Sequence, residues 1–335
     1  MIFNPAGDPL FDDSLNERVR QATGGVVNTI AGGYLGNGEK ATSAALVFPE
    51  ALAIDKSGNF YIADFTGNSV RKVSAGKIST IAGTGVSGFS NGLVASATLY
   101  APQGVAVDSN GNVFIADTYN GVIREVSNGA VTTFVTNANF NYLLQMATDS
   151  ANNLYVADNG ACVVWKITPA AVVSVAAGVV NNCGYSGNGG AATTAQLNGP
   201  YSVALDTSGD LFIADAGNNV IREVNTSGII STVAGDGNCG YSGDGGSATS
   251  AEICYPYGVA VAASGTIYLS DANNRVRQVV GGTITAYAGS GSNGFNGDAL
   301  WPLLTEFDDP IAIALDSKGN LYVLDDDEHR VREIE

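Results

Sequence analysis

A single histidine, His329, stands in a chain of 335 residues, so a three-histidine zinc centre cannot be assembled within one molecule. Basic side chains are also scarce. Against 15 Lys and Arg there are 32 Asp and Glu, and the formal charge of −17 repels a phosphate backbone, which argues against nucleic acid as a partner. No apolar run reaches the roughly 18 residues of a membrane-spanning helix. The opening MIFNPAGD has neither the basic flank nor the apolar stretch of an export signal. Charged residues make up only 14% of the chain, too few for long solvated helices. Glycine, by contrast, is abundant at 43 residues, and the turn chemistry it brings points to an all-β chain.

The glycines belong to a repeat. Gly58, Gly111, Gly209, Gly265 and Gly319 each sit in a short polar turn, followed by an apolar strand ending in Asp and then by an x-x-N-x-x-R element. Residues 104–126 read GVAVDSNGNVFIADTYNGVIREV, and residues 202–224 read SVALDTSGDLFIADAGNNVIREV. Degenerate copies occupy residues 146–167 and 1–21, and the spacing is 53 residues from Gly58 to Gly111 and 56 from Gly209 to Gly265. Such a period marks a repeat architecture.

Seven units result, at approximately 1–33, 49–83, 101–136, 141–178, 199–235, 255–289 and 309–335, within one domain spanning 1–335. A complete unit has four apolar runs separated by turns, the pattern of a four-stranded antiparallel meander. The first two runs are almost continuously apolar, as in strands covered on both faces. Sheets stacked as the blades of a β-propeller supply that cover, and closing the ring removes exposed edges. Closure has two solutions. The last unit stops at VREIE, before a fourth strand, and VVNTIAG (26–32) could fill that place to give six blades. Seven blades are favoured, because residues 1–21 carry their own second-strand and third-strand signature.

The pattern of apolar run, D-x-x-G-N, LYVAD-like strand and x-x-N-x-[VI]-R closely resembles the NHL-repeat family over essentially the whole chain. The joining segments CGYSGNGGAATTAQL (183–197) and CGYSGDGGSATSAEI (239–253) look like the long inter-blade loops of bacterial secreted members. The resemblance implies a β-propeller. It leaves function open, since NHL propellers serve as protein-binding, RNA-binding, sensor and occasionally catalytic modules, so function has to come from particular sites.

In such a propeller the turns between strands two and three share one face with the links between blades. Asp13, Asp64, Asp117, Asp158, Asp215, Asp271 and Asp325 end strand two, and a ring of carboxylates there is a candidate calcium site. An Asp opening a tight turn also accepts the turn's own N–H groups, and its recurrence in every unit favours that role. Arg20, Arg71, Arg124, Arg222, Arg277 and Arg332 recur on strand three, where they can pair with these carboxylates, while Trp165 replaces the arginine in the fourth unit. Tyr34, Phe89, Tyr185, Tyr241 and Phe295 sit in the links, each followed by glycines, and are expected to pin their loops to the blade below. Tyr100 and Tyr255 lie near the same face as Tyr119, Tyr142, Trp165, Tyr201, Tyr257 and Trp301, and the last six are the candidate ligand-binding residues, because aromatics with a polar tip suit binding surfaces.

Four cysteines allow three pairings. Cys239 and Cys254 bracket one link, while Cys162 and Cys183 lie in a turn and the link after it, so local pairing is preferred. Disulfides place the chain in an oxidising compartment, extracellular or periplasmic, with an export signal outside this sequence. The expected function is a binding scaffold for a protein, peptide or glycan, as a monomeric domain of a larger chain without membrane insertion. A calcium-dependent lactonase-like or lyase-like enzyme and a sensor or structural module are the alternatives. No cofactor is required by any motif, and calcium is the one that the acidic ring admits.

Overall fold

The computed structural model describes residues 2–334 except 4–8, 14–17, 24–25, 33–36, 39–48, 56, 58, 295, 297–300, 309, 316–320 and 326–329. Two compact units form, Met1–Asn153 with Thr168–Val173, and Leu154–Ile167 with Ser174–Glu335. Among the described residues seven antiparallel sheets follow one another along the chain, matching the seven units counted in the sequence. In the first unit the first sheet comprises Ile2–Phe3, Pro9–Asp13, Arg18–Thr23 and Val26–Gly32. The second comprises Pro49–Ile54, Phe60–Asp64, Ser69–Ser74 and Lys77–Ala82. The third comprises Gly104–Val107, Val113–Asp117, Val122–Ser127 and Ala130–Thr136, with Gly92–Leu93 added beside the last strand.

The second unit opens with the hairpin of Leu154–Asp158 and Val163–Ile167 from the fourth sheet. The fifth sheet follows as Pro200–Leu205, Leu211–Asp215, Val220–Val224 and Ile230–Ala234, and the sixth as Gly258–Val261, Ile267–Asp271, Arg275–Val280 and Thr283–Ala288. Among the described residues the seventh has three strands, Pro310–Leu315, Leu321–Asp325 and Arg330–Ile334. Val26–Gly32 pairs with Arg18–Thr23, from Arg18 opposite Gly32 to Thr23 opposite Val26, so it belongs to the first sheet. The six-blade alternative, which needed this strand in the last sheet, is thereby corrected: the adjacent strand of its own repeat captures it.

The apolar second strands are covered on both faces. Every residue of Val113–Asp117, Leu154–Asp158, Leu211–Asp215 and Ile267–Asp271 is buried. In the first unit Tyr61, Val70 and Ala82 of the second sheet pack against Leu99, Val105 and Ile115 at the third. In the second unit Phe212 and Ile221 meet Val259 and Leu269, and Tyr268 and Val276 meet Ile313 and Leu321 across Phe307. Each large aliphatic so buried contributes about 1.5–3 kcal/mol, which makes sheet-on-sheet contact the main source of cohesion. Among the described residues helix is limited to three-residue 3-10 turns, and no helix is long and apolar enough to cross a membrane.

Two turn features set the repeat geometry. Asp108 accepts the N–H groups of Asn110 and Asn112 at 2.8 and 2.9 Å, and Asn112 returns its side-chain amide to the same carboxylate at 2.8 Å. Asp55 with Asn59 and Asp149 with Asn153 repeat the arrangement. At the end of strand four, Gly83, Gly178, Gly235 and Gly289 have φ of 86°, 95°, 95° and 95°. A Cβ there would lie 2.2–2.5 Å from the backbone oxygen of Asn68, Cys162, Asn219 or Asn274, so only glycine fits.

Strands three and four are also bulged beside the arginine. The register shifts between Val70 and Arg71, Ile123 and Arg124, Ile221 and Arg222, and Val276 and Arg277. Such a bulge bends the strand and re-aims the side chains next to it.

Candidate functional site

The recurrent arginine holds the incoming link. Arg124, Arg222 and Arg277 are fully buried. Arg222 donates to Ser186 O at 3.1 Å, Asn188 Oδ1 at 3.0 Å and Gln196 O at 3.4 Å, with Asp215 Oδ2 at 3.5 Å. Arg124 repeats this with Ser90 O at 2.7 Å, Asn91 Oδ1 at 2.8 Å, Thr98 O at 3.4 Å and Asp117 at 2.9 Å. Arg277 bonds Ser242 O at 2.8 Å, Glu252 O at 2.6 Å and Asp244 Oδ1 at 2.8 Å. The link aromatic covers each guanidinium: Phe89, Tyr185 and Tyr241 have ring centroids 5.1, 4.9 and 5.1 Å away.

A second side chain completes the clamp. Asn120, Asn218 and Asn273 donate to Gly88 O, Gly184 O and Gly240 O at 2.7–2.8 Å and to the strand-two Asp at 2.8–3.0 Å. The carboxylates therefore serve the links: Asp117 accepts the N–H of Tyr100, and Asp215 that of Asn198, both at 2.7 Å. Burial pushes the Asp215 carboxyl up to about 6, against the opposing pull of the Asn198 N–H, Asn218 and Arg222. Asp117 and Asp271 are raised for the same reason.

Where the link is short, the arginine is replaced. Only NANFNY, residues 137–142, joins the third sheet to the strand Leu143–Thr148, and this segment contains no glycine-aromatic loop. A buried guanidinium there would lack the loop carbonyls that satisfy it elsewhere. Trp165 takes its place, 3% exposed, and its Nε1 donates to Asp158 Oδ2 at 2.8 Å.

In the second, fourth, fifth and sixth sheets the residue closing the turn between strands two and three is left-handed and ties down the following link. Asn68 accepts from Ala101 N at 2.9 Å, Asn219 accepts from Tyr255 N at 2.9 Å, and Asn274 donates to Asn293 Oδ1 at 2.7 Å. Cys162, with φ of 58°, occupies this place in the fourth sheet and makes the same connection covalently to Cys183. Cys239 pairs with Cys254, so both disulfides follow the local pairing preferred from the sequence.

Beside these links, tyrosines reach solvent. In the first unit Tyr119, 49% exposed, meets Phe65, Tyr100 and Tyr142 at ring-centroid distances of 6.0, 5.0 and 6.1 Å. The neighbouring Tyr142 hydroxyl raises the pKa of Tyr119. In the second unit Tyr257 meets Tyr201 at 5.4 Å and Tyr255 at 5.5 Å. Tyr255 has φ of 48° and aligns with Ala101 and Gly199, also left-handed at 51° and 58°. A bulky side chain in that region costs about 1 kcal/mol or more. Tyr255→Gly should therefore raise stability by about 1 kcal/mol, to be read as an increase in the urea midpoint at constant slope.

Of the six candidate ligand residues, the structure brings Tyr119 and Tyr142 together in one group and Tyr201 and Tyr257 in another. Trp165 lies inside its sheet, and Trp301 lies in a groove with Leu303 and Leu304. Of the candidate calcium ligands, Asp64, Asp117, Asp158, Asp215 and Asp271 are each buried. Among the described residues no three His, Cys, Asp or Glu side chains gather at one point. The side chains of Asp13, Asp325, Arg20 and Arg332 lie outside the described residues, as do Tyr34, Phe295 and His329. The tyrosine groups include Phe65, Tyr100 and Tyr255 beyond the six. Phe65 was not singled out in the sequence, although it directly follows a strand-two Asp, as Thr118 and Ala216 do in the aligned repeats.

Comparison with known proteins bears on the same repeats. Residues 99–124 match the NHL repeat, and residues 181–241 match the teneurin NHL domain. Teneurin-3 of Danio rerio is 31% identical over 268 residues, which is 73% of this chain and 8% of that protein. The chain thus spans a small part of the relatives it matches. A streptogramin B lyase structure aligns with a TM-score of 0.66 at 14% identity, over 96% of this chain and 88% of the other. An auxiliary nutrient binding protein from Bacteroides ovatus ATCC 8483 aligns with a TM-score of 0.58 at 15% identity, over 99% and 68%. At such identities these two share the fold alone. With the NHL match, the repeated antiparallel meanders and these neighbours, the chain is an NHL-repeat protein of the β-propeller class.

Proposed function

We propose that the chain is an extracellular interaction module that binds a protein, peptide or glycan through its exposed tyrosines. The observation that carries this reading is the group of Tyr100, Tyr119, Tyr142 and Phe65, whose rings meet at 5.0–6.1 Å and in which the Tyr100 N–H is held by Asp117. Tyr119 and Tyr100 are 49% and 42% exposed, and Tyr119 stands where the aligned turns have Thr66, Gly160 and Gly217. A blade's own geometry does not call for tyrosine there, whereas a contact surface does, because tyrosine offers large area at low entropy cost. Two disulfides suit an oxidising compartment. The likeness to part of the teneurins supports a module carried within a longer extracellular protein.

An array of recombinant extracellular domains and glycans, probed with the tetramerised 335-residue protein, tests the reading. Tyr119→Ala/Tyr142→Ala should weaken any bound partner at least about tenfold, or roughly 1.4 kcal/mol, while the melting temperature stays within a few degrees. Equal binding by both proteins to every partner would remove this surface from consideration.

A further inference from the structure

In the first unit the segments that bear or adjoin Phe65, Tyr100, Tyr119 and Tyr142 hold no charge. Residues 65–70, 78–107, 118–123 and 126–148 contain no Asp, Glu, Lys, Arg or His. None of the charges flanking them in sequence is exposed at this end of the sheets. Asp64, Arg71, Asp117 and Arg124 are buried. Glu125 is half-buried within Val122–Ser127. Lys77, Asp108 and Asp149 belong to the turns that join strands one and two or strands three and four, opposite the turns that carry Phe65 and Tyr119.

This absence selects among ligands, because the chain as a whole carries −17. That field draws a basic peptide to other parts of the surface and repels an acidic one, whereas an uncharged ligand is indifferent to it. The rings also present negative faces, on which the weakly positive C–H groups of a pyranose stack. Their centroid spacings of 5.0–6.1 Å are comparable to the length of one sugar residue. Hydrogen-bonding groups beside the rings are of the uncharged kind. Thr66 and Asn141 are exposed next to Phe65 and Tyr142, and Tyr119 and Tyr142 bring their hydroxyls together. Such groups give and take hydrogen bonds with sugar hydroxyls. Two of the rings are fixed before a ligand arrives, since Tyr119 N donates to Tyr100 O at 3.2 Å and Tyr100 N to Asp117 Oδ1 at 2.7 Å.

We propose that the partner of Phe65, Tyr100, Tyr119 and Tyr142 is a neutral glycan, held by stacking of its pyranose rings on the exposed tyrosines and by hydrogen bonds to the uncharged groups around them. The inference rests on the reading of these tyrosines as an interaction surface and narrows it to one class of ligand. Binding of this kind is carried by ring contact and neutral hydrogen bonds, so it is insensitive to salt, unlike the docking of a charged protein or peptide.

Calorimetric titration of the 335-residue protein with soluble β-glucan, α-glucan, xylan, mannan, galactan and chitin oligosaccharides tests this. At least one should bind saturably, with an affinity that changes less than about twofold between about 50 and about 500 mM sodium chloride. Tyr119→Ala should weaken that binding at least about tenfold, while the melting temperature stays within a few degrees. Failure of every glycan in the set, a steep loss of affinity with salt, or binding that Tyr119→Ala leaves intact overturns the assignment. If a protein or peptide is instead the ligand that Tyr119→Ala/Tyr142→Ala releases, the glycan assignment falls and the interaction surface stands. If nothing binds through the tyrosines, both fall.

Discussion

Arg222→Met is expected to destabilise the protein by about 3–5 kcal/mol at pH 7.5, because it leaves the Asp215 carboxylate buried beside loop carbonyls that have lost their donor. The loss should shrink on acidification. In the native protein burial already holds the Asp215 carboxyl at about 6, and removing the guanidinium raises it further, whereas the unfolded chain titrates near 3.8. Between those values the folded state holds a proton that the unfolded state lacks, so stability falls as the pH rises, by up to about 1.4 kcal/mol per pH unit. Urea unfolding of Arg222→Met at pH 5 and pH 7.5 measures this. The same destabilisation at both pH values would contradict the assignment of the buried charge.

The second large effect concerns Cys162–Cys183, which closes a separation of 21 residues. Cys162→Ser/Cys183→Ser is expected to cost about 3 kcal/mol from the freed unfolded chain. Cys162→Asn/Cys183→Asn should cost about 1 kcal/mol less, because Asn tolerates the left-handed backbone and can form the bond seen between Asn274 and Asn293. Urea midpoints under non-reducing conditions separate the two. Equal values would mean that the disulfide does not stand in for the hydrogen-bonded asparagines.

Much of the fold was legible because the repeat states the same local instructions several times. Glycine turns, apolar second strands and the Asp before each turn located the sheets without knowledge of their packing. Closure of the last sheet was not legible, since VVNTIAG suits strand four of either its own repeat or the final one, and only pairing decides between them. The arginine pattern suggested Asp pairing but concealed its main role. The carbonyls of Ser90, Thr98, Ser186 and Gln196 have no side-chain signature, so the clamp onto the link is invisible in sequence.

The candidate site was legible in part for the same reason. Tyr119, Tyr142, Tyr201 and Tyr257 could be chosen as aromatics with a polar tip near the face that carries the links. Trp165 breaks the arginine pattern in sequence, yet it is buried, because the short link before it removes the partners a guanidinium needs. A tyrosine's exposure depends on the loop beneath it. Tyr255 shows this, reaching solvent through a backbone conformation that no composition argument anticipates.

The central claim is that a buried arginine on the sheet each long link enters holds that link, as Arg124, Arg222 and Arg277 do at the third, fifth and sixth sheets. Hydrogen exchange on Gly184, Gly189, Gly190 and Ala192 in the native protein and in Arg222→Met measures it most directly, since all four amides are bonded in the clamped link. The account predicts exchange at least about tenfold faster in the variant at these four amides, with the third sheet unchanged. Unaltered protection in that link would contradict it.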